Sequence, residues 1–116
     1  MRAQWSRWLT DATSPVAPWL WLFETHATLR RKVHRKELTD PEGEEAWRHL
    51  AAQPVMTVHS PEMFGRAWTI ARALRLPTTY DAAYLALAEI RDCELWTADR
   101  GFARAAGRRS SRIRMI

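Results

Sequence analysis

The sequence predicts an α/β fold, a short parallel sheet flanked by helices, in a single domain over residues 1–116. Two patterns and one size point to it. Segments of helical periodicity alternate with short β-branched or apolar runs, the order that implies a parallel sheet covered on both faces. Proline, serine, threonine and glycine punctuate the junctions. A chain of 116 residues, 47% hydrophobic and 27% charged, is long enough for one core without disulfides or metals as staples.

The elements follow in order. Residues 2–9 place Trp5, Trp8 and Leu9 on one side of what reads as the end of an amphipathic helix, and "DATSP" (11–15) is loop. "PVAP" (15–18) is at most a brief strand. Pro18 suits the first turn of a helix that runs to about Lys36, with Trp19, Leu22, His26, Leu29 and Val33 at 3-4-3-4 spacing. Its last turns carry "RRKVHRK" (30–36), which complements the helix dipole. Residues 38–53 open on a cap-like Thr39 or Asp40 before Pro41 and continue as an acidic-then-apolar helix.

"PVMTVH" (54–59) predicts a strand. Ser60 as N-cap and Pro61 at the first helical position start a helix that buries Phe64, Ala67, Trp68, Ala71 and Leu74 and stops before Pro77. Thr78 or Thr79 caps the next helix, with Tyr80, Tyr84, Leu87 and Ala88 facing inward. "CELWTA" (93–98) is a strand, "RGFARAAG" (100–107) a short helix ended by Gly107, and "RIRMI" (112–116) an edge strand. Of the seven tryptophans, Trp19, Trp68 and Trp96 fit core positions.

The formal net charge of +5 favours an anionic partner such as RNA, DNA or an acidic protein. Cys93 is the only cysteine, which excludes an internal disulfide and a cysteine metal site. His26, His34, His49 and His59 lack ligand spacing. No apolar run is long enough to span a bilayer and no signal-peptide core is visible, so a cytoplasmic location is expected.

Three acids stand out. Asp99 follows a strand, and ligands of parallel α/β folds gather beyond the C-terminal ends of strands. Asp81 opens a helix that can face the same crevice. Either acid could be only a helix-end carboxylate, worth about 0.3–1 kcal/mol. Glu24 aligns on its helix with Leu20 and Ala27 and so borders an apolar face, where a carboxylate needs a partner or a metal. Thr97 could orient Asp99. Three acids meeting at such a crevice would take a hard divalent cation through oxygen.

Three stretches resemble the PIN domain family, and within it the VapC type of toxin ribonuclease. "VAPWLWLFETHATLRRKV" (16–33) resembles the family's strand and helix with an inward glutamate, "LPTTYDAAYLALAE" (76–89) its Tyr-Asp-Ala helix, and "LWTADRGFARAA" (95–106) its strand followed by Thr-x-Asp. The resemblance implies an endoribonuclease dependent on Mg²⁺ or Mn²⁺, cutting transfer or ribosomal RNA, restrained by a cognate antitoxin protein and commonly homodimeric. It implies Glu24, Asp81 and Asp99 as the catalytic, metal-binding acids, supported by Thr97. Arg100, Arg30 and Arg31 would then bind the RNA.

Members of the family open with a central strand that ends in a further aspartate. The sequence here starts near the end of the helix that follows it, and Asp11 falls in a loop. An open central position costs roughly 1–3 kcal/mol per unpaired buried backbone group. Three explanations are expected in turn: a start further upstream, a strand donated by another polypeptide with strand-swapped dimers as one form, or closure into a smaller inactive sheet. The alternative function is a catalytically incomplete remnant that binds RNA or antitoxin.

Overall fold

A computed structural model describes residues 15–115, and the fold is α/β. The helix end expected at residues 2–9, and Asp11, lie outside the described residues. Residues 15–57 and 58–115 form two compact units.

In the first unit, strand β1 (Val16–Pro18) pairs with β2 (Met56–Val58), and the Met56 amide donates to the Pro15 carbonyl at 3.1 Å. Pro18 therefore ends a strand instead of opening the helix. Helix α1 spans Trp21–His34 and has no fully buried residue; Phe23 is 70% exposed. Lys36, in the left-handed region at φ 62°, turns the chain, and the Glu37 amide reaches back to the Lys32 carbonyl at 2.9 Å. Helix α2 (Asp40–Ala51) then starts on a capping box. The Glu42 amide donates to Thr39 Oγ1 at 3.2 Å, and the Thr39 amide to Glu42 Oε1 at 2.9 Å. This pair makes Thr39, not Asp40, the cap.

Gly43, buried where α2 packs on α1, would place an added Cβ against Val33 Cγ2. Valine is stiff at χ1 and yields little. Overpacking of about 1–3 kcal/mol then outweighs the roughly 1 kcal/mol helix-propensity gain of alanine over glycine. Gly43→Ala is expected to lower the midpoint of urea unfolding at unchanged m-value.

In the second unit, helix α3 (Pro61–Leu74) is capped by Ser60, whose Oγ accepts from the Met63 amide at 3.1 Å. Met63, Ala67, Ile70 and Ala71 form its buried stripe. Helix α4 (Tyr80–Arg91) answers with Ala82, Leu85, Ala86, Leu87 and Ala88, and the small residues let the two helices come close. Phe64 and Trp68, expected in the core, are 49% and 65% exposed, and Tyr80 is 54% exposed. Phe64 and Trp68 each lie one residue, or about 100° of helix rotation, from the buried stripe, and Tyr80 stands at the exposed start of α4. Trp19 is also largely exposed and Trp96 half-buried, though both keep contacts.

Strand β3 (Leu95–Thr97) runs parallel to β4 (Ile113–Met115), with Leu95 opposite Ile113 and Thr97 opposite Met115. Arg112–Asp92 and Arg114–Glu94 ion pairs, both at 2.7 Å, flank the ladder. Helix α5 (Arg100–Gly107) connects these strands and buries Phe102 and Ala106. The single sheet expected is, among the described residues, two sheets of two strands. None of the described helices is long and apolar enough to cross a membrane.

Candidate active site

Asp99 lies where β3 ends. The Asp99 amide donates to Thr97 Oγ1 at 3.1 Å, so Thr97 fixes the backbone bend that carries the carboxylate. Asp99 Oδ1 accepts from the Phe102 amide at 3.0 Å and caps α5. The helix-cap role is therefore filled by one oxygen. Among the described residues Oδ2 takes no hydrogen bond and remains a free acceptor.

Asp81 sits in the first turn of α4, yet it does not act as a cap. That helix end has no side-chain cap hydrogen bond, and among the described residues the Asp81 carboxylate makes no ion pair. Partial burial first, and then the negative charge of Asp99, hold its carboxyl above the ordinary Asp range. The carboxylate of Asp99, at a strand end, thus lies near enough to that of Asp81, at a helix start, to disfavour its ionisation. Within residues 58–115 no third described His, Cys, Asp or Glu joins them in a cluster.

Arg100, next in the chain, is exposed, with no carboxylate on its guanidinium among the described residues. Glu24, Arg30 and Arg31 belong to the other unit. Glu24 is half-buried and keeps an interaction of its own, and its carbonyl accepts from the Thr28 hydroxyl at 3.0 Å. Ala27, expected to share an apolar face with it, is exposed. Arg30 lies 3.7 Å from Asp40, and Arg31 is exposed.

Sequence reasoning passed over Glu89. It sits two turns beyond Asp81 on α4, and its side chain is only 15% exposed. Oε1 accepts from Arg66 of α3 at 3.2 Å and Oε2 from Arg109 at 3.4 Å, just past α5. The carboxylate thereby ties together the elements that carry the two aspartates. An acid on the apolar run "YLALAE" was the available signal.

Chemically, the pair offers oxygen donors with negative charge and, among the described residues, no partnered cation. That set fits a hard divalent ion such as Mg²⁺, which needs one or two direct carboxylates and keeps water on its other positions. Cys93 offers no competing chemistry, since burial pushes its thiol above the ordinary range and keeps it neutral.

A family model described as PIN domain matches residues 2–108. The chain is also similar to VapC ribonuclease Mb0985 of Mycobacterium bovis and to ribonuclease VapC9 of Mycobacterium tuberculosis. In each case 39% of residues are identical over 79 residues, covering 66% of this chain and 58% of the relative. The chain thus spans less than two thirds of the length of the curated relatives it matches.

Proposed function

The chain belongs to the PIN domain family, and on that premise we propose that it is a metal-dependent endoribonuclease, the toxin of a toxin–antitoxin pair, that hydrolyses RNA phosphodiesters. The observation that carries this reading is that Asp81, at a helix start where no side chain caps the backbone, makes no ion pair among the described residues and lies within the electrostatic reach of the Asp99 carboxylate. Asp81 and Asp99, with Glu24 as the third acid, would hold Mg²⁺ or Mn²⁺. When bound, the ion supplies an acidified water and neutralises charge developing on the phosphate.

The remaining work falls to the chain itself. Thr97 and the Phe102 amide keep Asp99 from rotating, so that its free oxygen points at one place. Arg100 offers a guanidinium to the phosphate next to the acids, and Arg30 and Arg31 add attraction for the backbone. We extend the proposal to transfer or ribosomal RNA as substrate, a cognate antitoxin protein as inhibitor, a homodimer, and the cytoplasm as location. One domain comprises both units, in keeping with a family match that crosses them.

The test is cleavage of purified transfer and ribosomal RNA with Mg²⁺, with Mn²⁺ and with chelator. Metal-dependent cleavage is expected. Glu24→Gln should reduce it at least about tenfold, in the range seen when a group supporting a metal is removed. Binding of RNA without cleavage in any metal would replace the nuclease with a binding module; cleavage indifferent to chelator would remove the metal.

A further inference from the structure

The arginines of residues 58–115 fall into two sets. Arg66, Arg109, Arg112 and Arg114 each lie against a carboxylate: Glu89 for the first two, Asp92 and Glu94 for the others. Arg72, Arg75, Arg91, Arg100, Arg104 and Arg108 have no ion pair among the described residues, and all six are exposed. Three of this second set share α5. With 3.6 residues per turn, Arg104 stands about 180° from the midpoint of the buried Phe102 and Ala106, and Arg100 and Arg108 fall within about 40° of it on either side. Arg108 has helical dihedrals (φ −70°, ψ −24°), so the stripe keeps its line to the end of the helix.

An arginine face opposite a core is also what any solvated helix can carry. Two features set this one apart. The other uncompensated arginines, Arg72, Arg75 and Arg91, are divided between α3, its C-terminal cap and α4, whereas here three stand on one face of one short helix and its cap. The stripe also begins one residue after Asp99. Each step of four residues advances about 6 Å along the helix, comparable with one nucleotide of an extended strand.

We propose that α5 is a phosphate track: Arg100, Arg104 and Arg108 hold consecutive phosphates of a single RNA strand, leading it along the helix axis to the carboxylates at its N-terminal end. This rests on the nuclease reading above and adds to it the path of the strand. Guanidinium groups suit the task because each can give a phosphate two parallel hydrogen bonds. The Asp99 cap fixes where the track starts, since the same residue opens the helix and supplies the acid.

The test is binding of a short fluorescein-labelled oligouridylate, in chelator so that the strand stays intact, followed by anisotropy over a range of salt. Arg100→Gln/Arg104→Gln/Arg108→Gln is compared with the charge-matched Arg72→Gln/Arg75→Gln/Arg91→Gln. Removing three phosphate contacts should flatten the slope of log K against log salt by about 2, at roughly 0.7 per contact on a single strand. The second variant should keep the wild-type slope. Equal flattening in both would mean diffuse surface charge and overturn the track, as would an unchanged slope in the first. Either result beside intact metal-dependent cleavage sinks the track alone; wild-type protein that neither binds nor cuts RNA sinks the nuclease reading with it.

Discussion

Asp81→Asn is expected to reduce RNA cleavage by roughly two to three orders of magnitude, the scale of removing one aligned electrostatic group from an active site, and to raise the melting temperature in metal-free buffer. Both effects have one origin. Asp81 makes no cap hydrogen bond and no ion pair among the described residues, so the amide variant loses no native contact. It does lose the repulsion from Asp99 and the cost of partial burial, which hold the Asp81 carboxyl above its ordinary range. Between the unfolded pKa and this raised folded one, the native state binds the extra proton. Stability from this group is therefore present at acid pH and falls as pH rises through that window. At neutral pH the wild-type fold carries this penalty, reduced by the solvent exposure of Asp81, and the asparagine variant avoids the part that comes from charge.

Divalent cation is expected to reverse the order. It stabilises whichever native state binds it, so Mg²⁺ should raise the wild-type melting temperature and leave the variant unmoved. Thermal melts with and without Mg²⁺, beside cleavage assays across pH, separate these outcomes. Wild-type cleavage rates in Asp81→Asn would remove this carboxylate from the reaction. A lower metal-free melting temperature would mean that it holds the fold together after all.

Phe102→Ala is expected to cost about 3–5 kcal/mol, the usual range for emptying a buried phenyl site, against a total stability of about 5–15 kcal/mol for a domain. Helix α5 has eight residues, and only Phe102 and Ala106 are buried. An alanine at 102 leaves the helix without its main apolar anchor. The Phe102 amide also donates to Asp99 Oδ1, so a loosened α5 frees the acid from its fixed orientation. Cleavage should therefore fall at temperatures where circular dichroism still reports a folded chain, and Phe102→Leu should recover much of both losses. An Ala variant that melts like the wild type would show that α5 is held by something other than this ring.

The positions of the two aspartates were legible because each sits at a boundary that sequence marks well: a Pro-Thr-Thr turn before the helix start for Asp81, whose threonine nonetheless makes no side-chain cap hydrogen bond, and a short apolar run followed by Thr-x-Asp for Asp99. Their opposition is a property of space, and only the coordinates bring the charges together. Ser60 and the α5 boundaries were likewise read correctly from capping and glycine signals. Trp68 was misplaced because hydrophobicity outranks size in a periodicity count. The α3–α4 contact instead uses Ala67, Ala71, Ala82 and Ala86, which allow close approach where an indole would prop the helices apart. The α/β class and its short parallel pairing were legible, whereas the division into two-stranded sheets among the described residues was not, since three-residue strands carry almost no register information. Glu89 escaped notice for a related reason: an acid on an apolar stripe reads as an interruption until its two arginines are seen.

The parallel pairing of β3 with β4 bears on biosynthesis. The ladder that carries Asp99 closes only when a strand lying beyond the whole of α5 has been made. As the ribosome extends the chain, Asp81 and its helix emerge first, and the segment Leu95–Thr97 must wait for Ile113–Met115 before its hydrogen bonds are complete. A nascent polypeptide would thus complete the ladder beneath Asp99 only as translation of this stretch finishes, after Asp81 and its helix have already left the ribosome.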